Sequence, residues 1–168
     1  MTEHFVLGTA RVKDARGRDC PARALEQNVE PTEFAIDPQL ARDTHRVTDW
    51  PLCRVLLMDD ASYPWLILVP RRPGLRDLDE LGEIDRALAA GEIAAASKAL
   101  KGALAAHKMN VAALGNVVAQ LHIHVIARFR EDAAWPKPVW GVIPTQRYTA
   151  EALAERLAML RAYLPEHP

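Results

Sequence analysis

The sequence predicts an α+β domain, a small antiparallel sheet with helices packed on it. Two short apolar runs, "CRVLLM" (Cys53–Met58) and "WLILV" (Trp65–Val69), flank the turn-forming "DDASYP", which reads as an antiparallel strand pair. The stretch from Leu78 to Lys108 is rich in Ala, Leu, Glu and Lys and holds no proline, which reads as helix. A second strand pair, "MNVAAL" (Met109–Leu114) and "VVAQLHIHVIA" (Val117–Ala127), is joined by Gly115 and Asn116, a signal for a two-residue hairpin turn. A chain of 168 residues, 49% hydrophobic and 26% charged, suits one compact domain with a sizeable core.

Taken in order, residues 1–33 mix charges of both signs with few large apolar side chains, which reads as an N-terminal extension ahead of a single domain at 34–168. Asp37 before Pro38 is a helix-start pair, a capping oxygen followed by a residue whose missing N–H costs nothing at the first helical position, and a short helix over 38–43 follows. Within 78–108, Leu81, Ile84 and Leu88 share one stripe, while Ile93, Leu100 and Leu104 fall nearly opposite. A break near Gly91 is therefore expected, so that both stripes reach the same sheet. Prolines at 136, 138 and 144 send "WPKPVWGVIP" over the surface or along an edge. Leu153, Leu157, Leu160 and Leu164 mark a last amphipathic helix, stopped by Pro165.

Charge narrows the function. With 21 basic and 22 acidic side chains the formal net charge is −1, so no general field attracts nucleic acid or an anionic membrane, and any anion site must be local. No apolar run approaches a membrane span and the first twenty residues lack a secretory apolar region, so a cytoplasmic location is expected. Cys20 and Cys53 form no C-x-x-C pair, which predicts free thiols, without a disulfide framework or a structural zinc site.

The stretch "AQLHIHVIAR" (Ala119–Arg128) carries the chemistry. As a strand it sends Gln120, His122, His124 and, further on, Arg128 to one face, and Leu121, Ile123 and Val125 to the other. Asn110 and Asn116 belong to the same hairpin, so amides, imidazoles and a guanidinium could converge on an anion such as phosphate. Three readings compete. The pair is polar decoration on a half-exposed strand; or it chelates a divalent ion; or an unprotonated imidazole attacks phosphorus. The metal reading lacks ligands, since His45, His107 and Cys53 stand at no ligand spacing, and no metal or other cofactor is expected.

"NVAALGNVVAQLHIHVIAR", preceded by "DDASYPWLILVPRRPGLRDL", resembles the histidine triad (HIT) superfamily of nucleotide hydrolases and transferases over about Phe34 to Gly141. The resemblance implies a HIT-like fold, a purine nucleotide as ligand and a homodimer. It implies that His122 attacks the α-phosphate of a dinucleoside polyphosphate or nucleoside phosphoramidate and forms a nucleotidyl-imidazole, which water then releases as a nucleoside monophosphate. His124 would bind the phosphate and the bridging atom, with the Asn110 and Asn116 amides near them. Gln120 stands where the family's first motif histidine is expected, Trp65 where a more distant histidine lies, and Val117 where many members have a hydroxyl. Gln120, Trp65 and Arg128 join the two asparagines as candidate substrate-binding residues, Trp65 as pocket wall or as a ring stacked on a base. Trp135 and Trp140 cover the cleft or pack across a dimer interface. The competing class is a nucleotide-binding module without turnover.

Overall fold

The computed structural model describes residues 33–168 and, ahead of them, the backbone of two short antiparallel strands, β1 (Val12–Lys13) and β2 (Asp19–Cys20). The chain divides into two units, Met1–Glu30 and Pro31–Pro168, and the sheet described below lies in the second. The N-terminal extension expected at 1–33 and the Cys20 thiol otherwise lie outside the described residues.

Five strands make one antiparallel sheet: β3 (Thr44–Asp49), β4 (Cys53–Met58), β5 (Trp65–Pro70), β6 (Lys108–Ala112) and β7 (Ile123–Arg128), in the spatial order β3-β4-β5-β7-β6. Strand alternation sorts its side chains into two apolar layers. Val55, Leu57, Leu66, Leu68, Ile123 and Val125 pack on one face with the helices α2 (Glu83–Leu104) and α3 (Ala150–Tyr163). Leu56, Trp65, Ile67, Val69 and Ile126 pack on the other with Leu40 of the short helix α1 (Pro38–Asp43) and with Val139. The fold is α+β with both sheet faces covered, which is why every residue of β5 and β7 is buried.

The helix α1 forms where the Asp-Pro pair predicts it, and the Asp37 side chain accepts the Gln39 N–H at 2.7 Å. Its immediate successor β3 is a strand that the hydrophobic pattern does not reveal. Val47 is its one large apolar residue, and a register shift between Arg46 and Thr48 breaks the alternation. The helix α3 is capped by Thr149 and buries Leu160, with Leu164 just past its end also in the core.

Two expectations are corrected. The segment 78–108 is a 3₁₀ turn at Leu78–Glu80 followed by α2, which runs unbroken through Gly91 and ends at Leu104, where Ala105 takes a left-handed φ of 52°. No break is required, because the stripe facing the sheet is built from small residues: Ala89 and Ala96 are buried with Leu100, while Ile84 is 77% exposed. The same stripe buries Glu92, whose carboxylate accepts the backbone N–H groups of Leu52 and Cys53 at 2.7 and 2.8 Å and so joins helix to sheet. Those N–H groups would otherwise be buried without partners. Burial first, and the Glu92 carboxylate second, push the Cys53 thiol pKa far up, so this cysteine is an inert core residue.

The second correction concerns the hairpin. The strands β6 and β7 pair antiparallel, with Ala112 opposite His124, but a long connection, 113–122, joins them instead of a two-residue turn. Gly115 does take a left-handed φ of 68°, as a turn glycine would. The residues after it are drawn elsewhere: Leu121 N–H donates to the Leu75 carbonyl at 2.9 Å, and Gln120 bonds to the chain ahead of α1. Backbone groups bonded to other partners cannot extend the ladder toward β6.

Candidate functional site

A cavity of about 300 Å³ opens on the α1 side of the sheet, a volume at the lower end for small-molecule sites. Its polar lining comes from Gln39, Asp43, Asn116, His122 and His124, and its apolar wall includes Leu40, Met58, Ile67, Val118 and Trp140. Trp65 lies beside the histidines, and Leu114 and Val117 complete the rim, Val117 being 93% exposed. No hydroxyl side chain is among these lining residues.

His122 and His124 are each 7% exposed, and their rings meet edge to face at 4.8 Å between centroids. Each ring is tied at Nδ1, and the two ties are opposite in kind. His122 Nδ1 lies 2.7 Å from the Gln120 carbonyl oxygen, which only accepts, so this nitrogen carries a proton and the lone pair of the neutral ring is on Nε2. His124 Nδ1 lies 3.0 Å from the indole nitrogen of Trp65, which only donates. Burial first, and the neighbouring His122 second, push the His124 pKa down to about 4. The site therefore sets an imidazole whose neutral form has its lone pair on Nε2 beside a second imidazole held uncharged.

Four of the candidates line one cavity: His122, His124, Asn116 and Trp65. Trp65 is 6% exposed, its indole meeting Trp140 edge to face at 5.7 Å. Trp140, left open between cleft and interface, lines the cleft. Trp135 instead meets His107 edge to face at 5.3 Å, and the Arg128 guanidinium lies 5.9 Å from its ring centroid.

Gln120, Asn110 and Arg128 are not among the lining residues. Gln120 sits before β7, where its side-chain oxygen accepts the Asp37 N–H at 2.8 Å and its amide donates to the Ala35 carbonyl at 2.7 Å. It holds the entrance to α1 against the histidine segment. Arg128 is 1% exposed and four of its five N–H donors are engaged: Asp132 takes it in a bidentate pair at 2.7 and 2.9 Å, the Asn110 side-chain oxygen accepts at 2.6 Å, and the Lys137 carbonyl at 2.9 Å. A guanidinium so bonded fixes the chain that leads to Trp140 and has no fork left for a phosphate.

The wall residues Leu40, Met58 and Ile67 were not singled out by sequence reasoning. Leu40 is the one large apolar residue of α1, a signal that the helix packs on something, but nothing in the sequence ties it to the histidines. Among the described residues, no three His, Cys, Asp or Glu side chains gather as a metal-ligand set. No helix there is long and apolar enough to cross a membrane.

This fold and this histidine pair define a HIT domain. The family model of that description matches residues 39–131, more than half of the chain. Solved histidine triad proteins agree along nearly their whole length. One from Bradyrhizobium japonicum is 43% identical, with 79% of this chain and 99% of that one aligned at a TM-score of 0.77. One from Marinobacter aquaeolei VT8 is 45% identical over 79% and 96% of the two chains, also at 0.77, and one from Sinorhizobium meliloti 1021 is 40% identical over 78% and 97%, at 0.76. No curated protein matches the sequence. The chain belongs to the histidine triad family, within a superfamily of nucleotide-binding hydrolases and transferases.

Proposed function

We propose that this protein is a cytoplasmic nucleotide hydrolase or nucleotidyl transferase that cleaves at the α-phosphate of a purine nucleotide through a covalent intermediate on His122. The observation that carries the reading is the tie between His122 Nδ1 and the Gln120 carbonyl, which puts the lone pair of the neutral ring on Nε2, at the cavity wall. Its lone pair forms a bond to the α-phosphorus as the bond from phosphorus to the bridging atom breaks, and that atom leaves with the bonding pair. Water then attacks the nucleotidyl-imidazole, restores the imidazole and releases a nucleoside monophosphate. His124 binds the phosphate oxygens and the bridging atom, the Asn116 amide donates to the phosphate, and the apolar wall takes the base. Gln120, Asn110 and Arg128 act on the nucleotide only through the elements that they hold in place. The working unit is a homodimer, favoured by exposed Val111 on the edge strand β6 and by Leu114 beyond it, both 46% exposed.

Intact-mass spectrometry after rapid quenching tests this. Mixed with a diadenosine polyphosphate or an adenosine phosphoramidate, the wild type gains the mass of one adenylyl group and releases AMP, and His122→Ala does neither. Binding of AMP without an adduct from either compound would leave a nucleotide-binding module in place of an enzyme.

A further inference from the structure

The bond between Trp65 and His124 fixes where the second histidine keeps its proton, and with it the leaving group that the site can release. An indole nitrogen has no lone pair to offer in the ring plane and can only donate, so the contact at 3.0 Å exists only while His124 Nδ1 is unprotonated. The one proton of the neutral ring is then on Nε2. Protonating Nδ1 to form an imidazolium would break the bond and leave the indole N–H, in a side chain 6% exposed, without its partner. The surroundings do nothing to favour that charge. Across the sheet His124 is paired with Ile67 and Ala112, Trp140 stands 5.5 Å away edge to face, and His122 is its nearest titratable neighbour. Asp43 is the one carboxylate among the lining residues, and the Arg147 guanidinium lies 3.8 Å from it.

We infer that Trp65 is a positioning residue that holds His124 as the neutral tautomer with its proton on Nε2, and that the site thereby selects acid-anhydride substrates over phosphoramidates. The inference rests on the proposed attack by His122. When an anhydride is cleaved, the bond from phosphorus to the bridging oxygen breaks and the electron pair stays on that oxygen as a phosphate anion. The Nε2–H of His124 need only donate a hydrogen bond to the oxygen. When a phosphoramidate is cleaved, the departing nitrogen needs a proton. The proton on Nε2 is the only one His124 has, and giving it up would leave an imidazolate anion in an apolar wall. No hydroxyl lines the cavity to supply it instead. Neutral donors serve the first reaction, whereas the second calls for an acid that this site lacks.

The test joins a spectroscopic measurement to a rate comparison. In ¹⁵N-labelled wild type at pH 7, the His124 side chain should show a protonated Nε2 and an unprotonated, hydrogen-bonded Nδ1, with the Trp65 indole proton shifted downfield. In Trp65→Phe the hydrogen-bond signature at Nδ1 should vanish, and the His124 pKa, followed by the same nuclei, should rise. Adenylyl-enzyme formation in the wild type should be at least tenfold faster with a diadenosine polyphosphate than with an adenosine phosphoramidate, and Trp65→Phe should narrow that ratio. A proton on Nδ1 in the wild type, or a phosphoramidate used as fast as the anhydride, overturns the inference. If neither compound adenylates His122 the proposed function fails, and the tautomer is still decided by the nitrogen spectra of the wild type, which need no variant to fold.

Discussion

At the residue scale the site rests on two imidazoles with unlike partners. The "QLHIH" alternation marks the pair in the sequence; the donor to His124 comes from a strand about sixty positions earlier and carries no sequence signature. Arg128 shows the opposite limit: strand periodicity puts it on the histidine face correctly, yet says nothing of Asp132, which claims it. The suppressed basicity of His124 has a stability consequence. In the unfolded chain this group takes a proton near 6.5, in the folded protein only near about 4, so between those values the unfolded state binds more protons and stability falls as the pH falls. The complete loss is on the order of 3 kcal/mol. Urea denaturation at a series of pH values from 7 to 4 should show this slope in the wild type, and a flatter one in His124→Gln. Equal slopes would mean that His124 is not held neutral.

At the element scale the cavity depends on α1 staying against the histidine segment. Sequence reasoning found α1 to the residue from its Asp-Pro start, because a cap is a local device. It misplaced the turn between β6 and β7 because Gln120, which draws that segment away, acts through bonds to Asp37 and Ala35 across the molecule. Gln120→Ala removes both bonds at a cost of about 1 kcal/mol each, a modest loss of melting temperature. Its larger effect should be local: faster hydrogen exchange at residues 34–43 and weaker AMP binding, read by calorimetry. Unchanged exchange there would show that α1 has other moorings. The helix α2 teaches the same lesson, since its buried stripe sets Ala89, Glu92 and Ala96 beside Leu100, and a search for large apolar residues finds only the last of these.

On the scale of the whole molecule, the two apolar layers were legible as a fold class because short strands and an alanine-rich helix leave few ways to pack. What covers the second layer was not legible, because α1 and the chain around Val139 have no pattern that says which face they meet. The unit Pro31–Pro168 holds both layers and the cavity, and the solved relatives are aligned along 96 to 99% of their own length by 78 to 79% of this chain. A chain beginning at Pro31 should therefore fold and melt cooperatively within a few degrees of the full protein, and bind AMP as well; a loss of cooperative melting would give the first thirty residues a structural role. The hydrogen bond from Asp37 to Gln120 spans 83 positions, that from Trp65 to His124 spans 59, and that from the Trp50 indole to the Pro165 carbonyl spans 115. Each closes a long loop, whose entropy must be lost before the bond forms. During refolding, helical ellipticity from the local contacts of α2 should return early, and the pocket should be among the last features to appear. Recovery of nucleotide binding is thus a clock for completion of the entire chain topology, not of the segment that holds the histidines.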